Sequence, residues 1–416
     1  MKVLVLNSGS SSVKFKVFDG RGIPKEIAKG IVERIGLPGT TLKYSSVERR
    51  GQKLAGKPES ERSSGPMPDH AAAIAEISKV LLDPEVGVIK DVSELGGVGH
   101  RVVHGGEHFS GSVPIDDSVV QKIEECARLA PLHNPPALLG IRAVAKTIPT
   151  VPQVAVFDTA FHHTIPEKAY LYAIPKEYYE QYGIRKYGFH GISHQYVAQE
   201  AARIMKQELE AMKIITCHLG NGCSITAVEG GKSVDTSMGL TPLAGVMMGT
   251  RSGDLDPYIP IFMMKQLGMT ADEVEATLNK ESGLEGISSY TDVRDVIDHM
   301  VEGDRDCELA LDMFAYRVAG FVGSYAMVMN GADAIVFTGG IGEKDPAMRA
   351  RILSSATYLG VELDYRKNAR NDTFITKPKA KVKVLVIPTD EELVIARETF
   401  RIVMPNPAAG TLTSAA

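Results

Sequence analysis

The stretch Met1-Lys2-Val3-Leu4-Val5-Leu6-Asn7-Ser8-Gly9-Ser10-Ser11-Ser12-Val13-Lys14-Phe15-Lys16-Val17-Phe18 decides how the rest of the chain is read. Val3, Leu4, Val5 and Leu6 form an unbroken apolar run, the pattern of a strand buried on both faces. From Val13 the pattern alternates: Val13, Phe15 and Val17 share one face, and Lys14, Lys16 and Phe18 the other. Asn7 to Ser12, all small or polar, lie between the two runs. Such a turn aims backbone N–H groups and hydroxyls at one point, which suits a phosphate, and Lys14 adds a point charge on the strand that follows. A plain polar hairpin loop fits the same residues, and this stretch alone does not separate the two.

The design recurs. Lys213 to His218 is an apolar run, Leu219-Gly220-Asn221-Gly222 a turn, and Cys223 to Val228 a second strand-like run. By pattern, Ser12-Val13-Lys14-Phe15 aligns with Ser224-Ile225-Thr226-Ala227. Two such hairpins about two hundred residues apart predict an internal duplication, each half with its own phosphate loop facing a cleft. The expected fold class is α/β, a duplicated actin/ribonuclease-H-like two-domain fold with a central nucleotide cleft. The expected domains are residues 1–156 plus 392–416, and residues 157–391.

Composition narrows the function classes. The chain has 416 residues, 44% apolar and 23% charged, with a net charge of -5, which argues against a generic nucleic-acid binder. No apolar run is long enough for a membrane span, and the N-terminus enters a strand directly without a signal-peptide pattern. Cys126, Cys217, Cys223 and Cys307 form no C-x-x-C pair, which fits reduced thiols in a cytoplasmic setting.

Several segments between and after the hairpins carry chemistry. Gly96-Gly97-Val98-Gly99-His100-Arg101-Val102-Val103-His104-Gly105-Gly106 sets one arginine among glycines, an anion-site candidate. Asp69 caps a helix running to Leu81. A helix is expected from Ser118 to Ala130 and another from Ala137 to Lys146, with Pro135 and Pro136 locking a loop that holds His133. Gln153 to Phe157 reads as a buried strand with Asp158 at its carboxyl end, where α/β sheets collect ligand groups. Tyr187-Gly188-Phe189-His190-Gly191-Ile192-Ser193-His194 precedes a helix from Gln195 to Gln207, with Ser193 as its expected cap. Arg251 stands alone in a glycine-rich loop from Gly230 to Asp254. Asp333 to Glu343 is a strand followed by a glycine turn that suits a nucleotide, although no G-x-x-x-x-G-K-[ST] occurs. Lys381 to Ile387 is the last strand, and Glu391 opens a final helix through Phe400. Leu37 to Pro68 reads as short edge strands and loops.

On these motifs the chain resembles the acetate and butyrate kinase family, within the actin, Hsp70 and sugar-kinase superfamily. The resemblance rests on Leu6 to Lys14, His100 to Gly106, Phe157 to His162, Gly188 to His194, His218 to Gly222, and Arg251-Ser252-Gly253-Asp254-Leu255-Asp256, and spans nearly the whole chain. It implies phosphoryl transfer between ATP and acetate, giving ADP and acetyl phosphate, by direct in-line transfer. It implies Asp158, His190 and Arg251 as catalytic, the latter two stabilising the transition state. Arg101, Lys14 and His133 would meet the substrate. Val103, Leu132, Phe189 and Pro242 would form a small pocket for its methyl group. ATP would be held by Lys14, by His218, Leu219, Gly220, Asn221 and Gly222, by Asp292, Val293 and Arg294, and by Gly340, Ile341, Gly342, Glu343 and Lys344. Asn7 and Glu391 would hold Mg²⁺, or Mn²⁺. A homodimer and closure of the domains are also implied. Two departures are visible: Lys344-Asp345 after Glu343, where Asn-Ser is common, and Asp390 before Glu391, where Asn is frequent.

The chemistry is consistent with the residues. Acetate titrates close to a glutamate side chain, at about 4 to 5, so it arrives ionised and needs no general base. What it needs is relief from charge, and arginines, a histidine donor and a divalent cation supply that. Asp158 is then expected to anchor metal-bound water or position a group rather than act as a base. The near alternative is a propionate kinase. The alternative of a different class is a nucleotide-switched module of the actin or chaperone type.

Overall fold

Among the described residues fifteen strands follow one another in the chain. They are β1 Lys2–Ser8, β2 Ser12–Asp19, β3 Lys25–Glu33, β4 Thr41–Ser46, β5 Glu48–Arg49, β6 Gln52–Lys53, β7 Glu59–Arg62, β8 Leu95–Val102, β9 Val113–Pro114, β10 Gln153–Phe157, β11 Lys213–Leu219, β12 Cys223–Glu229, β13 Lys232–Thr236, β14 Ala334–Thr338 and β15 Lys383–Val386. The structure, a computed structural model, describes residues 1–20, 24–49, 52–53, 59–62, 66–131 and 133–404. Contacts divide it into two units, Met1–Ala160 with the chain from Asp390 onward, and Phe161–Thr389. With that division Asp158 and Glu391 both belong to the first unit.

The duplication read from the hairpins is visible in the sheets. The first unit has the order β7-β4-β3-β2-β1-β8-β10-β9, and the second β13-β12-β11-β14-β15. Both therefore contain the same core of five strands. A hairpin (β1–β2, β11–β12) gains a third antiparallel strand (β3, β13) on one side and two parallel strands on the other (β8 and β10, β14 and β15). The ladders also correct the alignment of the two hairpins. Asn7 pairs with Lys14 one step from the end of the first ladder, and His218 with Ser224 one step from the end of the second. Lys14, not Ser12, is thus the counterpart of Ser224.

The first unit folds on the apolar run that opens the chain. Val3, Leu4, Val5 and Leu6 are each at most 1% exposed, as a strand covered on both faces requires. Burying side chains of this size stabilises by roughly 1.5–3 kcal/mol each. One face of the sheet carries Leu4, Leu6, Val13, Phe15 and Val17, which pack with Ile74, Ile77, Leu81 and Val144 from the helices His70–Leu82 and Asn134–Thr147. Asp69 caps the first of these helices, accepting from the Ala72 N–H at 2.8 Å. The second begins earlier than expected. Pro135 and Pro136 stand in its first turn, where a missing N–H costs nothing, and His133 is its N-cap residue.

The glycines of β8 act on the other face. A Cβ on Gly99 would meet Thr399 Oγ1 at 2.3 Å and Ile395 Cγ2 at 2.7 Å, and one on Gly97 would meet Thr399 Cγ2 at 3.0 Å. These glycines let the last helix, Glu391–Val403, lie directly on the sheet. In the second unit, Val197, Ala198, Ala201 and Ala202 of the helix Gly191–Met205 pack on Ile214, Val228, Val336 and Leu385. The long helix Arg305–Val328 buries Phe314, Ala315, Val318 and Val322. No helix among the described residues is long and apolar enough to cross a membrane.

Candidate active site

In the first unit the candidate residues gather at the carboxyl ends of adjacent parallel strands. Leu6 pairs with His100, so Asn7 and Arg101 stand level on β1 and β8. Arg101 pairs with Val156, and Asp158 follows the end of β10, its N–H donating to the Val102 carbonyl at 3.0 Å. Arg101 Nη2 donates to Asp158 Oδ2, and Arg101 Nε lies 3.5 Å from Glu391 Oε2. The glycine-enabled approach of the last helix is what delivers Glu391 there.

The electrostatics of this cluster are unbalanced. Asp158 is 1% exposed. Burial pushes its carboxyl up to about 7, while Arg101 pulls it down and Glu391 adds to the rise. Burial lowers the Arg101 guanidinium's pKa, but its two carboxylate neighbours outweigh that and leave it raised. Asp158 Oδ1 is buried with no hydrogen-bond partner among the described residues. An orphan carboxylate oxygen beside a second carboxylate, with one arginine between two acids, is a site short of positive charge.

A second ionic cluster flanks the first. Lys16 Nζ lies 3.2 Å from Glu26, 3.4 Å from Asp390 and 3.3 Å from Glu392. Asp390, the residue where Asn was expected, caps the last helix by accepting from the Leu393 N–H at 3.1 Å. Lys16 thus ties both neighbours of Glu391 to the sheet. Lys14, directly across from Asn7, is exposed.

The second unit presents histidines, hydroxyls and one arginine at the matching place. His190 precedes the helix Gly191–Met205 with φ 56 and ψ 23, the left-handed region, which costs a non-glycine residue on the order of 1 kcal/mol. The helix starts four residues before the expected Gln195, and its N-cap is His190, not Ser193. Ser193 Oγ instead lies 2.8 Å from His218 Nδ1. The His190 and His218 rings stack at 4.3 Å. Arg251 is half-buried, donates to the Pro242 carbonyl at 3.3 Å and approaches Met248 Sδ at 3.6 Å. It has no carboxylate partner among the described residues, and burial draws its guanidinium below the ordinary value. A Cβ on Gly222 would lie 3.2 Å from His190 Nε2 and 3.7 Å from Arg251 Nη1, so the bare glycine is where these two groups converge.

A cavity of about 610 Å³ opens beside this point. It is lined by Gly220 and Asn221 from the hairpin turn, Gly340, Ile341, Lys344 and Asp345 after β14, Asp292, Val293, Arg294 and Ile297, and Gly249, Leu284 and Thr291. Its size suits a nucleoside. Gly339, with φ 76, admits the close approach of the two turns, since a Cβ there would lie 2.6 Å from the Leu219 carbonyl oxygen. Asp292 is engaged with Arg294, accepting from its Nε at 3.0 Å and Nη2 at 2.6 Å.

The remaining expected residues fall as follows. Leu219 is fully buried in β11, so only its backbone faces the turn. The Glu343 carboxylate accepts from the Gly339 N–H at 3.0 Å and the Thr389 N–H at 3.3 Å and therefore shapes the glycine turn. Of the four residues for the methyl pocket, Val103 is buried in the first unit, Phe189 is buried in the second and Pro242 is half-buried there. Leu132 lies outside the described residues. His133 caps the helix Asn134–Thr147.

Some residues were not singled out by sequence reasoning. Asn134, fully buried, accepts from the His104 N–H at 3.1 Å and donates to the His104 carbonyl at 2.9 Å, bracing the loop after β8. Thr216, Ser224 and His194 are also fully buried. Thr216 and Ser224 alternate with apolar residues inside strands buried on both faces, a polar pattern that was available as a signal.

Known proteins match the chain over nearly its whole length. Residues 2–397 match the acetokinase family. The chain is 53% identical over 409 residues to the acetate kinase of Thermotoga maritima, covering 97% of this chain and 99% of that one. It is 50% identical over 408 residues to the acetate kinase of Carboxydothermus hydrogenoformans, covering 97% and 100%. Among solved structures, Porphyromonas gingivalis acetate kinase superposes with a TM-score of 0.89 at 44% identity, covering 97% and 99%. A propionate kinase from Francisella tularensis superposes with a TM-score of 0.87 at 43% identity, covering 96% and 99%.

Proposed function

The chain belongs to the acetokinase family, and from that premise we propose that it catalyses the reversible transfer of the ATP γ-phosphoryl group to acetate, forming acetyl phosphate and ADP. The observation that carries this reading is the Arg101–Asp158–Glu391 cluster, with its orphan Asp158 oxygen, at the strand ends of the first unit. A carboxylate acceptor is already ionised, so the site must supply charge compensation rather than a base.

Hard oxygen donors with an uncompensated negative charge fit a divalent cation such as Mg²⁺, which binds through one or two carboxylates together with substrate phosphates. Asn7 and Glu391 would hold it, with Asp158 anchoring a water of its shell. Bound there, the cation would neutralise phosphate charge. Arg101 orients the acceptor carboxylate. Arg251, lacking a counter-ion, and His190 beside it donate to the oxygens of the transferring group. The cavity at Gly220, Asn221 and Gly340 takes the nucleoside, and Lys344 faces its phosphates.

The likeness to a propionate kinase supports a second substrate, and the expected order is acetate, then propionate, with longer acids poor. One methylene in an apolar pocket is worth roughly 1–3 kcal/mol, so the preference is shallow. Trapping the acyl phosphate as hydroxamate with acetate, propionate and butyrate tests this. Acetate-independent ATP loss without hydroxamate would identify a nucleotide-switched module instead.

The helix Tyr258–Gln266 supports a homodimer. It buries no residue and exposes Tyr258, Ile259, Ile261, Phe262 and Met264, a patch of the kind subunit interfaces cover. The four cysteines are buried and unpaired, in keeping with a cytoplasmic location.

A further inference from the structure

Behind His190 runs a chain of buried polar side chains that leads away from the reacting groups. His190 Nδ1 lies 2.8 Å from Ser224 Oγ. Ser224 Oγ lies 2.7 Å from His194 Nε2, and His194 Nδ1 lies 2.7 Å from Thr216 Oγ1. Ser224, His194 and Thr216 are each 0% exposed. All three distances lie within hydrogen-bond range, so each carries a proton between its two heavy atoms.

Counting protons leaves few arrangements. The Ser224 hydroxyl has one proton and, among the described residues, only these two ring nitrogens as partners, so its proton goes to one nitrogen and the other nitrogen donates to it. Burial, with His162 and His218 nearby, holds His194 neutral, so it carries a single N–H. In one ordering Thr216 donates to His194 Nδ1, His194 Nε2 donates to Ser224, and Ser224 donates to His190 Nδ1. A neutral His190 then carries its proton on Nε2. In the reverse ordering Thr216 donates to the Thr226 carbonyl at 3.4 Å, and His190 Nδ1 carries the proton. A neutral His190 then turns a lone pair toward the reacting group.

Two features select the first ordering. His190 Nε2 and Arg251 Nη1 converge on the same glycine, so a second positive charge on the ring is opposed by the guanidinium. A ring that stays neutral there has one proton to place. A phosphoryl oxygen is an anion and needs an N–H, not a lone pair, in front of it. The reverse ordering gains only a long bond at Thr226, at the outer limit of hydrogen-bond geometry.

We propose that Ser224 and His194 are positioning residues which, with Thr216, hold His190 as the neutral tautomer protonated on Nε2, aimed as a donor at the transferring phosphoryl group. This rests on the reading that His190 faces that group. The strained left-handed backbone of His190 belongs to the same device, since it swings Nδ1 onto a fixed hydroxyl.

The test has two arms in the full-length enzyme. Long-range ¹⁵N–¹H correlation spectra of histidine-labelled protein, with His190 assigned by its loss in His190→Gln, are expected to show Nε2 protonated and Nδ1 bare. A ring protonated on Nδ1 alone, or on both nitrogens, overturns the proposal. This arm needs no change to the network. In the kinetic arm, Ser224→Ala and His194→Gln are each expected to lower kcat at least tenfold while the KM for ATP stays within twofold. An unchanged kcat, or a loss confined to KM, overturns it if His190→Gln itself lowers kcat. If His190→Gln leaves kcat intact, the placement of His190 at the phosphoryl group fails instead.

Discussion

The two hairpins occupy the same place in the five-strand core that the two sheets share, yet they carry different chemistry. In the first unit the paired positions are Asn7 and Lys14, and the neighbouring strand ends bring Arg101, Asp158 and Glu391. In the second the paired positions are His218 and Ser224, and the neighbouring strand end brings Gly339 and Gly340. One scaffold thus supports an ionic site that is short of positive charge and a second site of histidines, hydroxyls and glycines around a single arginine. On the proposed reading the difference follows from the ligands. An anionic acceptor and a divalent cation would demand fixed charges, whereas a nucleotide lying along backbone turns would demand close approach, which only small residues allow.

The largest expected effects break the two halves separately. Asp158→Asn removes the carboxylate from the ionic half, and Arg251→Ala removes from the other half a guanidinium that has no carboxylate partner among the described residues. Each is expected to lower kcat by on the order of 10³-fold or more with the fold retained. Steady-state assays of hydroxamate formation check this. A loss restricted to KM for acetate would make Arg251 a binding residue, and a near-normal kcat would remove Asp158 from the mechanism.

Gly222→Ala sharpens the comparison by adding one methyl where His190 and Arg251 converge. A displacement of a few tenths of an ångström is expected to lower kcat by up to about 10²-fold. Circular dichroism matching the unaltered protein would show that geometry, not folding, is responsible.

Acid stability sets the halves on equal terms. Burial pulls His100 and His104 in the first unit and His162 in the second down to about 4, against an unfolded value of about 6.5. Because the folded values are depressed, this stability is complete above about pH 6.5 and is lost as pH falls toward 4. At pH 5 the loss is on the order of 2 kcal/mol per histidine. Scanning calorimetry between pH 7.5 and 5 is expected to show Tm falling for both units. Loss from one unit alone would mean that the buried histidines are not equivalent.

The smallest effect is at the departure from the family pattern. Lys344 lines the cavity proposed for the nucleoside but is exposed, so Lys344→Ala is expected to raise the KM for ATP less than tenfold and leave kcat unchanged. The effect should shrink further in high salt.

Both apolar runs, the duplication, the caps at Asp69 and the strand that ends at Asp158 were legible because their signals are local in the chain. The Pro135–Pro136 pair was misread as a loop because proline is compatible with both a turn and a first helical turn, and only the packing of Pro136, Ala137 and Leu138 decides between them. Ser193 looked like a cap because its residue type favours one, but its hydroxyl is taken by His218, a partner on another strand.

Sequence alone determined the fold class, the family and the chemical inventory, since alternation, turn residues and contiguous motifs are encoded within a few residues of one another. Only tertiary structure decided how that inventory is wired. The glycines of β8 admit the last helix and so bring Glu391 to Arg101 across nearly the whole chain. Ladder register puts Lys14 opposite Asn7 and Ser224 opposite His218, and a helix beginning at Gly191 turns His194 onto that same serine. Register and packing distance are properties of distant segments in contact, and no single stretch of sequence carries them.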